Sequence, residues 1–261
     1  MKPLEIKHRV IGEGEPLICV PVVEQDTQSV IREITYLSQS TADMIEWRVD
    51  AFRDFTDYNA IRSVFEAVAP LLGEKLFLYT FRTAHQGGMA QVNAEQLNDL
   101  HDLAAESGCV DLVDLEFFEE TRPLHKIKRL REMGVSVIAS HHDFEQTPPP
   151  EVMKMLLEKM CAGGADIVKL AVMPQNYKDV LNLLDVTAQF KEENPDTPVI
   201  TMSMGALGGI SRVCGETFGS CVTFGAHEKP SAPGQFAMKE LRQMLDTIHA
   251  SSQTPQDQQN R

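Results

Sequence analysis

Lys169 stands in the middle of Ala165-Asp166-Ile167-Val168-Lys169-Leu170-Ala171-Val172-Met173-Pro174, a β-branched and aliphatic run closed by a proline. Such a run reads as a buried strand. A lysine there must pair with a charge, reach solvent along its stem, or lose its proton, because burial disfavours an ammonium. A neutral amine attacks carbonyl carbon and forms an imine. His142, on the preceding strand, is a fitting companion, since an unperturbed imidazole titrates at about 6.5 and moves protons at neutral pH. An iminium accepts the negative charge that develops when a neighbouring C–H is broken. A lysine and a histidine in one cavity therefore suit proton abstraction followed by elimination or C–C cleavage.

Strand alternation brings more charge to the same side. In Met44-Ile45-Glu46-Trp47-Arg48-Val49-Asp50 the apolar Ile45, Trp47 and Val49 share one face, and Glu46, Arg48 and Asp50 share the other. Thr80 and Arg82 oppose Phe77, Tyr79 and Phe81, while Asp114 and Glu116 oppose Val113, Leu115 and Phe117. Ser140 shares a face with His142, and Lys169 shares one with Met173. His141 points to the opposite side of its strand and is expected to pack or support. Asp114 and Glu116 also fit a structural ion pair. Arg48, Arg82 and Arg212 can hold an anion, the last near an expected helix start where backbone N–H groups add to the attraction.

The elements that must position these groups follow one pattern, a short apolar strand, a turn and an amphipathic helix, repeated eight times. Strands are expected at 17–23, 44–50, 76–82, 112–118, 136–143, 166–174, 198–204 and 221–226. Helices are expected near 27–40, 58–72, 93–107, 122–133, 149–162, 176–192, 208–218 and 234–250, several closed by Gly73, Gly108, Gly134 or Gly163-Gly164. Eight such units predict an α/β fold closed into a TIM (β/α)8 barrel, and the first strand lacks the GxGxxG that a doubly wound dinucleotide fold would carry. Residues 4–11 alternate before Gly12-Glu13-Gly14-Glu15-Pro16 turns the chain, which predicts a short N-terminal β-hairpin at about 4–16. The expected organisation is one domain over 1–250, with the barrel at 17–250 and a disordered polar tail at 251–261. A structural barrel interior is Val, Ile and Leu, so five strands offering charge to one space predict a functional site. The loop at 227–235, rich in Pro and Gly, either closes over that site, offering Ser231 and Gln235, or is an ordinary surface loop.

Totals narrow the classes further. A chain of 261 residues, 43% hydrophobic and 24% charged, has ample material for one large core. Its net charge of −14 argues against nucleic acid and anionic membrane as partners, so an anionic substrate needs a few local arginines. The five cysteines are scattered without a CxxC, which supports neither a disulfide framework nor a thiolate metal site. With no apolar leader and no bilayer-length run, the expected compartment is a reducing cytoplasm.

Six stretches taken together resemble the type I 3-dehydroquinate dehydratases, the Schiff-base-forming class. They are Glu46-Trp47-Arg48-Val49-Asp50, Thr80-Phe81-Arg82, His142-Asp143-Phe144, Lys169-Leu170-Ala171-Val172-Met173-Pro174, Thr201-Met202-Ser203-Met204-Gly205 and Ser231-Ala232-Pro233-Gly234-Gln235. The resemblance implies a TIM-barrel lyase of the shikimate pathway, usually a homodimer, that uses no metal and no organic cofactor. It implies that Lys169 forms an imine with the C3 ketone of 3-dehydroquinate, and that His142 takes the C2 proton and helps the C1 hydroxyl leave. By the same resemblance Glu46, Arg48 and Arg82 position ring hydroxyls, Arg212 pairs with the carboxylate beside Ser231 and Gln235, and Met202 and Met204 form an apolar wall.

Two positions depart from the family pattern. A glutamate usually precedes Gly-Gly and bonds the catalytic histidine, whereas here Gln86 precedes Gly87-Gly88. A glutamine can orient the imidazole but supplies no charge to an imidazolium. The expectation is a lower proton affinity at His142 and slower proton transfer, with imine formation intact. Pro21 replaces a serine that some members place near substrate. The residues alone also admit another Schiff-base barrel enzyme of the class I aldolase kind, with Gly205-Ala206-Leu207-Gly208-Gly209 as a phosphate loop, or a non-catalytic binder of the same cyclitol acid.

Overall fold

The structure, a computed structural model, describes residues 4–252. The chain starts with an antiparallel hairpin, β1 (Leu4–Ile6) and β2 (Arg9–Ile11). Its turn is Lys7-His8, both at positive φ (47° and 63°), so the two-residue turn lies inside the alternating stretch. Gly12-Glu13-Gly14-Glu15-Pro16, expected to be the turn, instead links the hairpin to the barrel.

Eight parallel strands follow: β3 (Leu17–Val22), β4 (Met44–Arg48), β5 (Leu76–Thr80), β6 (Leu112–Glu116), β7 (Ser136–Asp143), β8 (Ile167–Val172), β9 (Val199–Ser203) and β10 (Val222–Phe224). They pair in chain order from β3 to β9, and β10 pairs with β3. A bridge between Val199 and Ser220, with the Cys221 N–H donating to the Val199 carbonyl at 2.8 Å, closes the ring. Around it lie α1 (Thr27–Ser38), α2 (Tyr58–Val68), α3 (Ala94–Glu106), α4 (Pro123–Glu132), α5 (Pro150–Ala162), α6 (Tyr177–Glu193), α7 (Gly215–Phe218) and α8 (Met238–Ser252). The fold is the expected TIM-type barrel. Side-chain caps start several helices, Asp26 for α1, Asp57 for α2, and capping boxes at Asn93 for α3 and Asn176 for α6.

Three expectations shift. Several strands end one or two residues early, which leaves Asp50, Arg82 and Met204 just beyond strand ends. The single helix expected at 208–218 divides into a 3-10 turn, Gly209–Arg212, and the four-residue α7. Arg212 therefore does not sit at the start of a helix long enough to bind an anion by its N–H groups. The last helix starts at Met238 and reaches Ser252, while the remainder of the tail expected at 251–261 lies outside the described residues.

Two apolar clusters confirm the sidedness of the strands. Ile45, Trp47, Phe77, Tyr79, Phe81, Val113, Leu115, Val168 and Leu170 pack outward with the helices. Cys19, Met44, Leu78, Leu112, Ile138, Ile167, Ile200 and Val222 fill the interior, with Ile11 of the hairpin buried among them. The end of the barrel where the strands begin is fastened by a repeated device. An aspartate just before β4, β6 and β8 accepts a backbone N–H of the preceding strand: Asp43 from Ile18 (2.9 Å), Asp111 from Phe77 (2.8 Å) and Asp166 from Val137 (2.9 Å). Ser220 does the same before β10, accepting from Thr201 at 3.0 Å. Each aspartate also meets a cation, Arg9 and Arg242 at Asp43, Lys7 at Asp111 and Arg131 at Asp166.

Candidate active site

At the opposite end one cavity is lined by Glu46, Arg48, Arg82, Gln86, Gly87, His142, Phe144, Lys169, Ala171, Met202, Met204, Arg212, Phe224, Ser231, Ala232 and Gln235. The structure thus gathers residues from β4 to β10 that are up to 189 positions apart in sequence, from Glu46 to Gln235.

Lys169 is 3% exposed, and its Nζ donates to Asp114 Oδ2 at 2.9 Å. Of the three fates open to a lysine on this strand, the structure therefore shows pairing with a charge. The ammonium also lies 4.6 Å from the centroid of the Phe224 ring, within range of its negative face. Asp114 accepts from Arg82 Nη2 at 2.8 Å through its other oxygen. Burial alone would raise its pKa, but Arg82 and then Lys169 hold the carboxyl far below the usual carboxylate range. Arg82 also donates to Glu116 at 3.0 Å and to Ser140 Oγ at 3.1 Å, so the guanidinium expected to meet ring hydroxyls is largely committed to protein. Burial works against its charge, yet Asp114 and Glu116 outweigh burial and raise its pKa. Asp114 and Glu116 are ion-paired, as one of the two readings of them required, and neither lines the cavity.

His142 is held by one atom. Gln86 Oε1 accepts the His142 backbone N–H at 3.0 Å and lies 3.0 Å from the ring Nδ1. The backbone group can only donate, so the amide oxygen must face it, and Nδ1 must then carry its proton. Nε2 is left as a free base on a ring that lines the cavity. Burial first, then the charges of Arg82 and Lys169, push the His142 pKa well below the ordinary value. The causes of that shift are burial and the nearby cations, with Arg48 adding to Arg82 and Lys169 and with Asp114 opposing them, so the low proton affinity does not itself bear on the exchange of glutamate for Gln86. The Gln86 Nε2 has no hydrogen-bond partner among the described residues. His141 lies on the outer side, edge-on to Phe118, as expected of a packing residue.

Two charged groups of the cavity lack an ion-pair partner among the described residues. Glu46 accepts only the Thr80 hydroxyl, at 2.8 Å. Arg212, 1% exposed, donates to the Pro233 carbonyl at 2.9 Å and the Phe224 carbonyl at 3.5 Å, and its Nε has no partner. With no carboxylate to offset burial, its pKa falls to about 10. A buried guanidinium met only by carbonyls is a site for an anion. Arg48 differs, since Asp50 holds its Nε and Nη2 at 2.8 Å each, leaving Nη1.

The loop after β10 does lie against the cavity. Its Pro233 carbonyl accepts from the Gly205 N–H at 3.1 Å as well as from Arg212. Gly234, at φ +78°, passes so close that a Cβ would lie 2.4 Å from the Gly205 carbonyl oxygen, which only glycine permits. Gln235 and Ser231 hydrogen-bond each other, Nε2 to Oγ at 3.0 Å, and both line the cavity. Met202 and Met204 line it too. Sequence reasoning missed Gly87, Phe144, Ala171 and Phe224 as lining residues because small and apolar groups look like packing. Parity gave a signal for Ala171, which shares the inward face of Lys169. The ring of Phe144 lies where a Gly87 Cβ would be, 2.4 Å away, so the two define one wall together.

A barrel with a buried lysine, a free imidazole nitrogen and an unpaired arginine in one mouth belongs to the class that can form imines with anionic ketones. The comparisons narrow this. The model of the type I 3-dehydroquinase family matches residues 18–252, and the chain belongs to that family. It is 42% identical over 250 residues, 95% of this chain and 99% of the relative, to the 3-dehydroquinate dehydratase of Listeria monocytogenes serotype 4b. Identity to the 3-dehydroquinate dehydratase of Syntrophotalea carbinolica is 41%, again over 95% of this chain and 99% of the relative. Among solved structures, the type I 3-dehydroquinate dehydratase of Clostridium difficile with covalently modified comenic acid superposes with a TM-score of 0.92 at 39% identity, covering 96% of this chain and 99% of that one. The 3-dehydroquinate dehydratase of Geobacillus kaustophilus gives 0.92 at 35%, covering 97% and 98%.

Proposed function

We propose that this chain dehydrates 3-dehydroquinate to 3-dehydroshikimate, a step of the shikimate pathway, through an imine on Lys169. The observation that carries this reading is a buried lysine sharing one cavity with a free-base histidine and with Arg212, a buried cation met only by carbonyls. Arg212 takes the substrate carboxylate, with Ser231 and Gln235 beside it, and Glu46 accepts from a ring hydroxyl. Arg48 offers Nη1 to another. Arg82, whose guanidinium is bound to Asp114 and Glu116, serves mainly to hold the interior charges in register. The Lys169 ammonium passes a proton to His142 Nε2 and attacks the C3 ketone, that proton returns to the hydroxyl that leaves as water, and the freed His142 Nε2 then takes the C2 proton while the iminium accepts the electron pair. The same imidazolium then protonates the C1 hydroxyl as it departs, and hydrolysis frees the lysine. Met202 and Met204 keep bulk water from this path. No step of this chemistry calls for a metal or an organic cofactor.

The hairpin and barrel form one domain over 1–250 in this reading, working in the cytoplasm, where the five free cysteines suit a reducing environment. No helix among the described residues is long and apolar enough to cross a membrane. We read the protein as a homodimer, supported by exposed Tyr177 and Leu181 one turn apart on α6 and exposed Leu207 and Ile210 after β9.

Intact mass after mixing the protein with 3-dehydroquinate and sodium borohydride tests the reaction. The expected species is an adduct on Lys169 at the mass of the reduced product imine. An adduct that retains the elements of water would mean binding and imine formation without elimination. No adduct would overturn the reading.

A further inference from the structure

Asp50 is a buried carboxylate that does not line the cavity, yet it receives four hydrogen bonds. Its Oδ1 accepts from Arg48 Nε at 2.8 Å and from the Arg82 backbone N–H at 3.2 Å. Its Oδ2 accepts from Arg48 Nη2 at 2.8 Å and from the Met89 backbone N–H at 3.0 Å. Both oxygens are thereby saturated. Burial pushes this carboxyl up, but the bonds and charge of Arg48, with the two backbone donors, hold it below the usual carboxylate range.

The donors come from three places that the site needs aligned: the end of β4, the end of β5, and the far side of the loop that β5 feeds. Between Arg82 and Met89 that loop presents Gln86 to His142 and Gly87 to Phe144. Gln86 itself gives the loop little purchase, because only its oxygen is engaged and its Nε2 has no partner. Where that oxygen lies is set by the backbone anchors, among them the Gln86 and Gly88 N–H groups on the Thr83 carbonyl (3.0 and 2.8 Å) and the Met89 N–H on Asp50. Met89 is 63% exposed, so its side chain gives no purchase, and this part of the loop is held by the Met89 N–H on the buried Asp50 and by the Ala84 N–H on the Ala90 carbonyl at 3.1 Å.

We propose that Asp50 is a positioning residue for the dehydration, clamping Arg48 and the Gln86 loop to one carboxylate so that the substrate-facing guanidinium and the orientation of His142 are set together. This rests on reading the cavity as the site of that reaction. Asparagine cannot replace it, since the amide nitrogen would face two donors whichever way it turned, and glutamate would overfill a sealed position.

The test is Asp50→Asn together with Met89→Pro, which removes the loop donor, at the cost of a locally stiffened backbone, and keeps both side chains of the Asp50–Arg48 pair. Each is measured by steady-state kinetics on 3-dehydroquinate, by the pH profile of kcat, and by amide hydrogen exchange across residues 83–90 of the free protein. For Asp50→Asn we expect kcat/KM to fall about a hundredfold, as small displacements of positioned groups do. Exchange in 83–90 rises while that of the barrel helices stays as it was, and the acidic limb of kcat moves toward higher pH as loosening relieves the burial of His142. Met89→Pro reproduces the exchange and pH changes with a smaller change in KM. An Asp50→Asn protein with wild-type loop exchange and an unmoved acidic limb overturns the proposal, even if its KM rises through Arg48. If Asp50→Asn does not fold, Met89→Pro decides alone by the same two readouts. A wild-type protein that does not turn over 3-dehydroquinate strikes the proposed function instead, and hydrogen exchange still decides whether Asp50 holds the loop.

Discussion

The two ends of this barrel carry the same kinds of residue and put them to different use. Where the strands begin, Asp43, Asp111 and Asp166 each accept a strand N–H and face a cation, so every charge is answered. Where the strands end, Asp114, Glu116 and Asp50 are also answered by cations, but Glu46 and Arg212 meet no opposite charge, and His142 keeps a bare nitrogen. Charge density is therefore a poor marker of the site. What separates the two ends is the capacity left over for a ligand, since a saturated ion pair serves structure and an unsatisfied buried group must be matched by something that binds.

The sharpest way to break this contrast is at Lys169. Lys169→Ala removes the amine that lines the cavity, and the expected loss in kcat is about ten-thousandfold or more, with no borohydride adduct. Residual turnover within tenfold of wild type would show that the mouth works without covalent chemistry. Arg212→Gln keeps hydrogen bonding to the loop but loses the charge. It is expected to raise KM and lower kcat/KM about a hundredfold, on the basis that charge-assisted bonds are roughly twice as strong as neutral ones. An unchanged KM would mean that the carboxylate binds elsewhere.

Gln86→Glu sharpens the contrast by adding a charge where one is missing. Burial and the charges of Arg82, Lys169 and Arg48 push the His142 pKa below its ordinary value by disfavouring the imidazolium. A carboxylate at Nδ1 favours the imidazolium, so the protonated, inactive form persists to higher pH. The acidic limb of the kcat profile should move up by about one unit, the usual size for a nearby opposite charge. A limb that stays put or moves down would remove Gln86 as the reason for the departure. The smallest effect belongs to the other end. Asp111→Asn weakens the bond to Phe77 and the pair with Lys7, and should cost about 1–3 kcal/mol of stability with kcat unchanged. Calorimetry and kinetics on the same sample read both. A fallen kcat without a fallen Tm would show that the strand-start carboxylates reach the chemistry.

Much of this was legible without coordinates, and the reasons are local. Inward parity placed Glu46, Asp114, Ser140, His142 and Lys169 on one side because strand side chains alternate strictly. Glycines at Gly73, Gly108, Gly134 and Gly164 marked helix ends because each adopts a positive φ that other residues resist. The hairpin turn was misplaced because Lys7 and His8 hold positive φ without glycine, while Gly12 and Gly14 advertise a turn that is only a linker. The helix expected after β9 shrank to α7 because periodicity does not reveal that Arg212 and the neighbouring turn are drawn inward by contacts to the Phe224 and Pro233 carbonyls.

By itself the sequence determined the eightfold strand–helix repeat, the sidedness of the five strands that carry charge and most of the polar groups that reach the mouth, since these depend on period, parity and side-chain type. Only the tertiary structure decided which charges cancel. Arg82 and Arg212 look alike in the chain, but one is enclosed by Asp114 and Glu116 and the other meets only carbonyls. The same holds for Lys169, whose partner, Asp114, lies 55 residues away. Ion pairing depends on distances of a few ångströms between remote segments, and closing the barrel is what sets them.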